Sequence, residues 1–542
     1  MAGAKGNSRV CGAAKLLAAI LLAGVTTSGQ YPGQVPGQMP GQAPGQNPSS
    51  PPFRLPHIGG SRQDKPQPES STEGQVYVLL WFDTEDYILP QSDNAAKSIA
   101  VFLSQEGIRG TFKVVGEKAR VLAERQRQDV ISAIAQHDIG YHSNLHSQHP
   151  TVAEYEANLD WDAGVEEFSR RERPGFDDVA RIFRKTPVAY GQPGASWAPQ
   201  VFPALQKWGV RVYLDEGKQV GLRGRPFWYG DLLNIFNTRV GEQLRPDATW
   251  SNLDSAKARF QDAYLAMSSR KAGGVVSICF HPCEFVHREF WDAVNFRDGA
   301  NPPREQWKLP PVKTPEETEK AFEYFEDLVH FLKSFPHVQF LTATAAAERF
   351  RDRALMHVFS TQEVAAMASQ VDPDVSFQEG DSYNLSASDV FYVVNKFLAG
   401  IVSRDSAEPL LLERTPYGPA SLSPALTSKL VASWQQVSAT VLAVQDELDK
   451  THQIPSAIAL GSQSVPPESY LVGIAQAVQT LLQKGEPPDS VTFGPARVAA
   501  ADYVADDSPD LWNWIIFPHG FDAPKLMSLA KLQAWTLKPA MK

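Results

Sequence analysis

Short apolar runs alternate with amphipathic stretches from Gln75 to about Asp352. Seven of the runs read as buried strands: Val76 to Phe82, Gly110 to Val115, Ile139 to Tyr141, Val188 to Tyr190, Val210 to Leu214, Val275 to Phe280 and Val338 to Leu341. Between them lie helical patterns such as NAAKSIAVFLSQEG, where Gly107 suits a helix stop. Another, TPEETEKAFEYFEDLVHFLKSF, opens with Thr314, Pro315 and Glu317 in capping-box spacing. Strands separated by helices in this order predict an α/β fold, a distorted (β/α) barrel of about seven parallel strands. Its working face would lie at the C-terminal strand ends.

After Asp352 the texture changes to Ala, Ser, Val and Pro without regular strand alternation, which predicts a second, mainly helical unit over 353–542. It contains an internal repeat. IPSAIALGSQSVPPESYLV and PPDSVTFGPARVAAADYVA match at an offset of 33 residues, Pro455 with Pro488, Gly461 with Gly494 and Tyr470 with Tyr503. A looser copy, VSFQEGDSYNLSASDVFYV, precedes them. Repeats of this length usually stack to share a core. The aromatic stretch DLWNWIIFPHG near the end also reads as core.

Composition narrows the class. The 542 residues are 43% hydrophobic and 21% charged, with a formal net charge of −10. These are ordinary values for a globular protein, and the acidic balance argues against a nucleic-acid partner. Lys5, Arg9 and Lys15 followed by LLAAILLAGV and TTSG give residues 1–29 the layout of a secretory signal. Cleavage near Gly29 or retention as an anchor are both open, and no later segment is apolar enough to span a bilayer. Residues 30–73, with their repeated PGQ, have almost nothing to bury and read as a disordered tether. An exported chain would keep only Cys279 and Cys283, which bracket His281 in CFHPC. Their spacing permits a bridge or simply two small half-buried residues.

The candidate chemistry sits at two strand ends. His142 and His146 stand four apart in GYHSNLHSQHP, a spacing that on one helical turn lets two imidazoles face one divalent ion. A third ligand is available where the first strand ends in WFDTEDY, with Asp83, Glu85 and Asp86. Strand alternation puts Asp83 and Glu85 on one face and turns Asp86 away unless the strand has already ended, so Glu85 and Asp86 are both open as the third ligand. His149 and His287, close by, read as surface residues.

These residues resemble the polysaccharide deacetylases, the NodB-homology or carbohydrate esterase family 4 enzymes. The family motif G-H-E-[IVL]-G-x-H-[ST]-x-x-H is similar to AQHDIGYHSNLH, its TFDDG to WFDTED, and its TFF-x-x-G to RGTFKVVGE, over roughly residues 72–352. The resemblance implies Asp83 as catalytic base and His281, at the end of VVSICF, as general acid across the bound acyl group. It implies Glu85, His142 and His146 as ligands of a divalent metal, zinc or a similar ion. Gln192, Pro193, Trp197 and Asp215 would bind substrate, with Trp197, Phe227, Trp228 and Tyr229 forming either a sugar platform or core.

The family's third motif, R-x-P-[FY], is departed from. Here the strand reads YGQPG with Gln192 before Pro193 and no arginine, unless Arg223 or Arg225 reaches in. The implied activity is removal of N-acetyl groups from an envelope or extracellular glycan by a secreted, periplasmic or envelope protein. A faint likeness of the C-terminal repeats to pseudomurein-binding repeats would add a cell-wall polymer as partner. Hydrolysis of a small C–N substrate, or glycan binding without turnover, are the competing readings.

Overall fold

The computed structural model describes residues 74–215, 217–236, 253–404 and 409–541. The expected signal and tether lie outside the described residues. Strand β1 (Val76–Thr84) is buried along its whole length. Beside it run β2 (Thr111–Val114), β3 (Asp138–Tyr141), β4 (Ala189–Tyr190) and β5 (Val212–Asp215), all parallel. On its other flank lies β8 (Gly274–Phe280). The strand β9 (Val338–Phe340) pairs with the first three residues of β1, and β2 takes the last four, so one flank of β1 is shared by two neighbours.

All seven predicted strands are present and mutually parallel, in a distorted (β/α) barrel. Three further ladders extend the sheet beyond the expected strands. The strand β7 (Leu232–Phe236) extends the parallel run beyond β5, and β6 (Phe227–Tyr229) pairs antiparallel with it. The strand Lys538–Pro539, from the far end of the chain, then pairs antiparallel with β6. Helices connect the parallel strands. Pro90–Gln105 ends before Gly107, whose φ is +71°, and Pro315–Lys333 opens on the Thr314/Glu317 capping box with both reciprocal bonds formed.

A second core, from Ala354 to Phe493 with Trp535, is built from the helices Thr361–Ser369, Ala387–Ser403, Trp434–Thr451 and Pro467–Lys484. The repeat is a small hairpin followed by a helix. The pair Ile458–Leu460 and Gln463–Val465 leads into Pro467–Lys484, and Gln378–Glu379 with Asn384–Leu385 leads into Ala387–Ser403. The copy at 487–505 ends instead in a 3₁₀ turn, Ala499–Tyr503. Beyond it, Leu511, Trp512, Phe517 and Leu526 return to the core of the barrel. Among the described residues no helix is long and apolar enough to cross a membrane.

One buried group in the barrel gives a stability prediction. Glu156 has neither carboxylate oxygen hydrogen-bonded and is crowded with Gln200 over Gly164. Burial pushes its pKa up to about 9. A carboxyl whose folded pKa exceeds its unfolded value loses stability as pH rises between the two, here from about 4.5 towards 9. Glu156→Gln is therefore expected to raise stability at pH 7 by up to about 3 kcal/mol and to flatten its pH dependence. Urea unfolding at pH 5, 7 and 8.5 checks this; parallel curves for the two proteins would refute it.

Candidate active site

Asp83, Glu85 and Asp86, at and just beyond the end of β1, are all buried. Glu85 faces the two histidines: its Oε2 lies 2.8 Å from His146 Nε2 and 3.3 Å from His142 Nε2. Asp86 turns the other way, although β1 has already ended at Thr84. It accepts from the amides of Ile88 and Leu89 and meets His287 Nε2 at 3.0 Å. His287 is therefore fully buried, and His149 is bonded to Glu154, which corrects the expectation that both are surface residues.

The two histidines do not sit on a helical turn. They lie on the loop that follows β3, which bends through the left-handed region at Ser143 (φ 64°) and His146 (φ 55°). Local polar groups hold that loop. Ser143 Oγ accepts from the His146 amide, and Glu172 accepts from the Asn144 amide and the Tyr141 hydroxyl at 2.7 Å each. The amides of Gly116 and Glu117 donate to the carbonyls of Ser143 and Asn144. Gly116 is required there, because a Cβ would come within 2.7 Å of Gly175 Cα.

The donor set fits a divalent ion. His142 Nδ1 meets the Gly191 carbonyl at 2.9 Å and His146 Nδ1 meets Ser147 Oγ at 2.6 Å, leaving both Nε2 atoms turned to Glu85. His146 Nε2 has no aligned hydrogen-bond partner although it is buried. One carboxylate and two imidazoles form a usual set for zinc, and their other nitrogens are oriented as metal-bound histidines usually are. Glu85 Oε1 accepts from Trp291 Nε1 at 3.0 Å, which orients the carboxylate. Burial would raise the Glu85 pKa, but His146, His281 and His142 draw it well below the usual range. Burial also lowers that of His142.

Asp83 stands beside this set, with Oδ2 at 3.8 Å from His142 Nε2 and 3.6 Å from His281 Nε2. Asp83 and His281 thus adjoin each other and line one cavity, so the two do not stand on opposite sides of a gap. The cysteines of CFHPC do not bridge each other. Cys279 Sγ is 3.7 Å from Asp83 and Cys283 Sγ 3.9 Å from Glu85.

The missing arginine has a substitute that sequence reading overlooked. Lys113, on β2, is buried with its Nζ 3.0 Å from Asp83 Oδ1, 2.8 Å from the Leu214 carbonyl and over the Trp81 ring at 4.1 Å. Burial would raise the Asp83 pKa, but His142, Lys113 and His281 together hold it below its ordinary value. Arg225 pairs with Glu379 instead, away from the site.

The substrate-binding expectations divide. Gln192 and Asp215 line the cavity of about 260 Å³ that holds Asp83 and His281. Gln192 is held through its amide to Asp215 Oδ2 and through Oε1 by the Tyr213 hydroxyl. Pro193 is buried without lining the cavity, where Gly194 and Ala195 take its place. Trp197, Phe227 and Tyr229 are core: Trp197 and Tyr229 pack on Phe202 of the helix Val201–Lys207 and on each other, and Phe227 packs edge-on against Phe236. Trp228 packs beneath the sheet beside the terminal strand. No sugar platform forms from these four.

No family model matches the chain, and no curated protein matches it. Solved structures do. One is described as a probable polysaccharide deacetylase from Pseudomonas aeruginosa PAO1, at 10% identity over 53% of this chain and 94% of that one, with a TM-score of 0.35. The allantoinase Puue is similar at 12% identity over 53% and 94%, TM-score 0.34. A CE4 family pseudoenzyme from Bacillus anthracis is similar at 12% over 49% and 63%, TM-score 0.25.

Proposed function

We infer that the protein is a metal-dependent hydrolase that removes N-acetyl groups from an amino-sugar glycan. The observation that carries this reading is the juxtaposition, at the ends of β1, β3 and β8, of the Glu85, His142 and His146 set with Asp83 and His281. A divalent ion held by Glu85, His142 and His146 would polarise the acyl oxygen and acidify a water. Asp83, kept anionic by its neighbours, accepts the proton of the attacking water. His281 delivers a proton to the amine as the C–N bond breaks, giving acetate and a free amino sugar. Lys113 holds Asp83 in place, and Trp291 does the same for Glu85.

Export, by the signal-like residues 1–29, and retention on a wall polymer by the C-terminal repeats belong to the same reading. The test is acetate release from N-acetylated oligosaccharides by the purified protein before and after chelation. Turnover is expected to vanish with the ion and to return on adding zinc, and elemental analysis is expected to find about one ion per chain. Ammonia or another amine product without acetate would favour a small C–N substrate. Retention on the glycan without turnover would favour a binding protein.

A further inference from the structure

The acid–base reading leaves one reactive group beside Asp83 unused, the thiol of Cys279. Its place follows from the register of β8 on β1. Trp81 and Cys279 are partners across these two parallel strands and share one face. Two residues further along, Asp83 on β1 and His281, whose backbone is still extended at φ −115° and ψ 113°, come onto that face beside them. Asp83, Cys279 and His281 are all buried, and all three line the cavity of about 260 Å³.

The spacing of their donor atoms is that of a coordination shell. Asp83 Oδ2 lies 3.7 Å from Cys279 Sγ and 3.6 Å from His281 Nε2, and one donor atom from each of the three falls within 4.8 Å of the others. Around a tetrahedral zinc ion, bonds of about 2.3 Å to sulfur and about 2.0–2.2 Å to nitrogen and oxygen place oxygen about 3.6 Å from sulfur and about 3.4 Å from nitrogen. A direct hydrogen bond between the carboxylate and the imidazole would close to about 2.7–2.9 Å, well inside the 3.6 Å found. Behind the imidazole, Glu284 Oε2 faces His281 Nδ1 at 3.6 Å, the side on which metal-bound histidines usually have a carboxylate. We propose that Asp83, Cys279 and His281 form a second, weaker site for a thiophilic divalent ion such as zinc, next to the Glu85, His142 and His146 set, and that filling it switches the enzyme off. The site is the weaker one because the Lys113 ammonium lies 3.0 Å from Asp83 Oδ1, and because Asp83 Oδ2 is 3.8 Å from His142 Nε2, so that an ion there stands beside another dication. Binding releases the thiol proton to water as the metal–sulfur bond forms, with no change of oxidation state. It also occupies the carboxylate and the imidazole that move protons, and this consequence alone rests on the deacetylase reading.

The test uses the full chain, stripped with chelator and reloaded in steps with zinc or cobalt(II). Calorimetry is expected to show a tight binding event followed by a weaker one. The cobalt protein should gain a near-ultraviolet thiolate-to-cobalt charge-transfer band with the second event and not with the first. Cys279→Ala is expected to abolish the band and the second event, while Cys283→Ala keeps both. In the acetate assay the second zinc ion should cost at least about 10²-fold in rate, the loss of a positioned acid or base. Magnesium at the same concentration, which prefers oxygen ligands, should cost nothing. Compared with its own rate after the first event, Cys279→Ala should lose less than about twofold in excess zinc. A single binding event at every zinc concentration, a band that arrives with the first event, or a band that survives Cys279→Ala or is lost in Cys283→Ala overturns the second site. The binding events need no variant, so they decide the site even if Cys279→Ala does not fold. A second ion that leaves acetate release unchanged overturns the switch. Should no N-acetylated sugar be turned over at any loading, the deacetylase reading fails, while the binding events and the band still decide the site.

Discussion

Asp83→Asn is expected to lower kcat for acetate release by about 10³-fold, within the roughly 10²–10⁴ that a positioned general base contributes. The substitution keeps size and shape but removes the one carboxylate that both lines the cavity and lies between His142, His281 and Lys113. Ion retention is expected to persist, because Glu85, His142 and His146 are untouched. That separates loss of the base from loss of the metal site. Stability should fall as well: the ammonium of Lys113 stays buried, keeping the Leu214 carbonyl and the Trp81 ring but losing its counter-charge. The checks are kcat, metal content and urea unfolding on the same preparation. Activity within threefold of the parent would remove Asp83 from the mechanism, whatever its position.

Where the sequence was legible, a strong local signal coincided with burial. The run Val76 to Phe82 has no polar interruption, so it became a strand buried along its whole length; it ends at Thr84, so the separation of Glu85 from Asp86 just beyond it comes from their local partners and not from strand alternation. The histidine pair was found for a reason that does not hold. Spacing of four suggested a helical turn, whereas left-handed Ser143 and His146 and the distant carboxylate of Glu172 shape the loop. Contacts of that kind, 28 residues apart in sequence, leave no periodic trace.

The same limit explains Trp291 and Trp514. Each is an aromatic residue in an aromatic stretch until folding sets one against Glu85 and the other across the cavity. Lys113 did leave a signal. A lysine inside the apolar run TFKVV is costly to bury without a partner charge, so its presence there required an acid nearby.

Replacing Lys113 by Met is expected to cost about 3–5 kcal/mol of stability, the usual penalty for orphaning one half of a buried ion pair, and to lower kcat/KM at least about tenfold. Because the penalty arises from the orphaned Asp83, the double variant Asp83→Asn, Lys113→Met should recover most of the stability and none of the activity. A double-mutant cycle that is additive in stability would show that the two side chains do not interact.

A third variant asks why the charge sits on β2 at all. Counted back from Pro193, the arginine of R-x-P falls at Gly191. A Cβ there would lie 2.0 Å from Lys113 Nζ, and Gly140 likewise leaves room for the Lys113 side chain. The lysine occupies the space that a side chain at 191 would enter. The two departures, lysine where the pattern has TFF and glycine where it has arginine, are then one exchange of a cation between neighbouring positions. Gly191→Ala alone should therefore displace Lys113 and depress activity. Lys113→Ala combined with Gly191→Arg should recover at least about tenfold over Lys113→Ala alone, since a guanidinium then faces the same carboxylate. If the paired change recovers nothing in a folded protein, the requirement is for lysine in that place and not for positive charge beside Asp83.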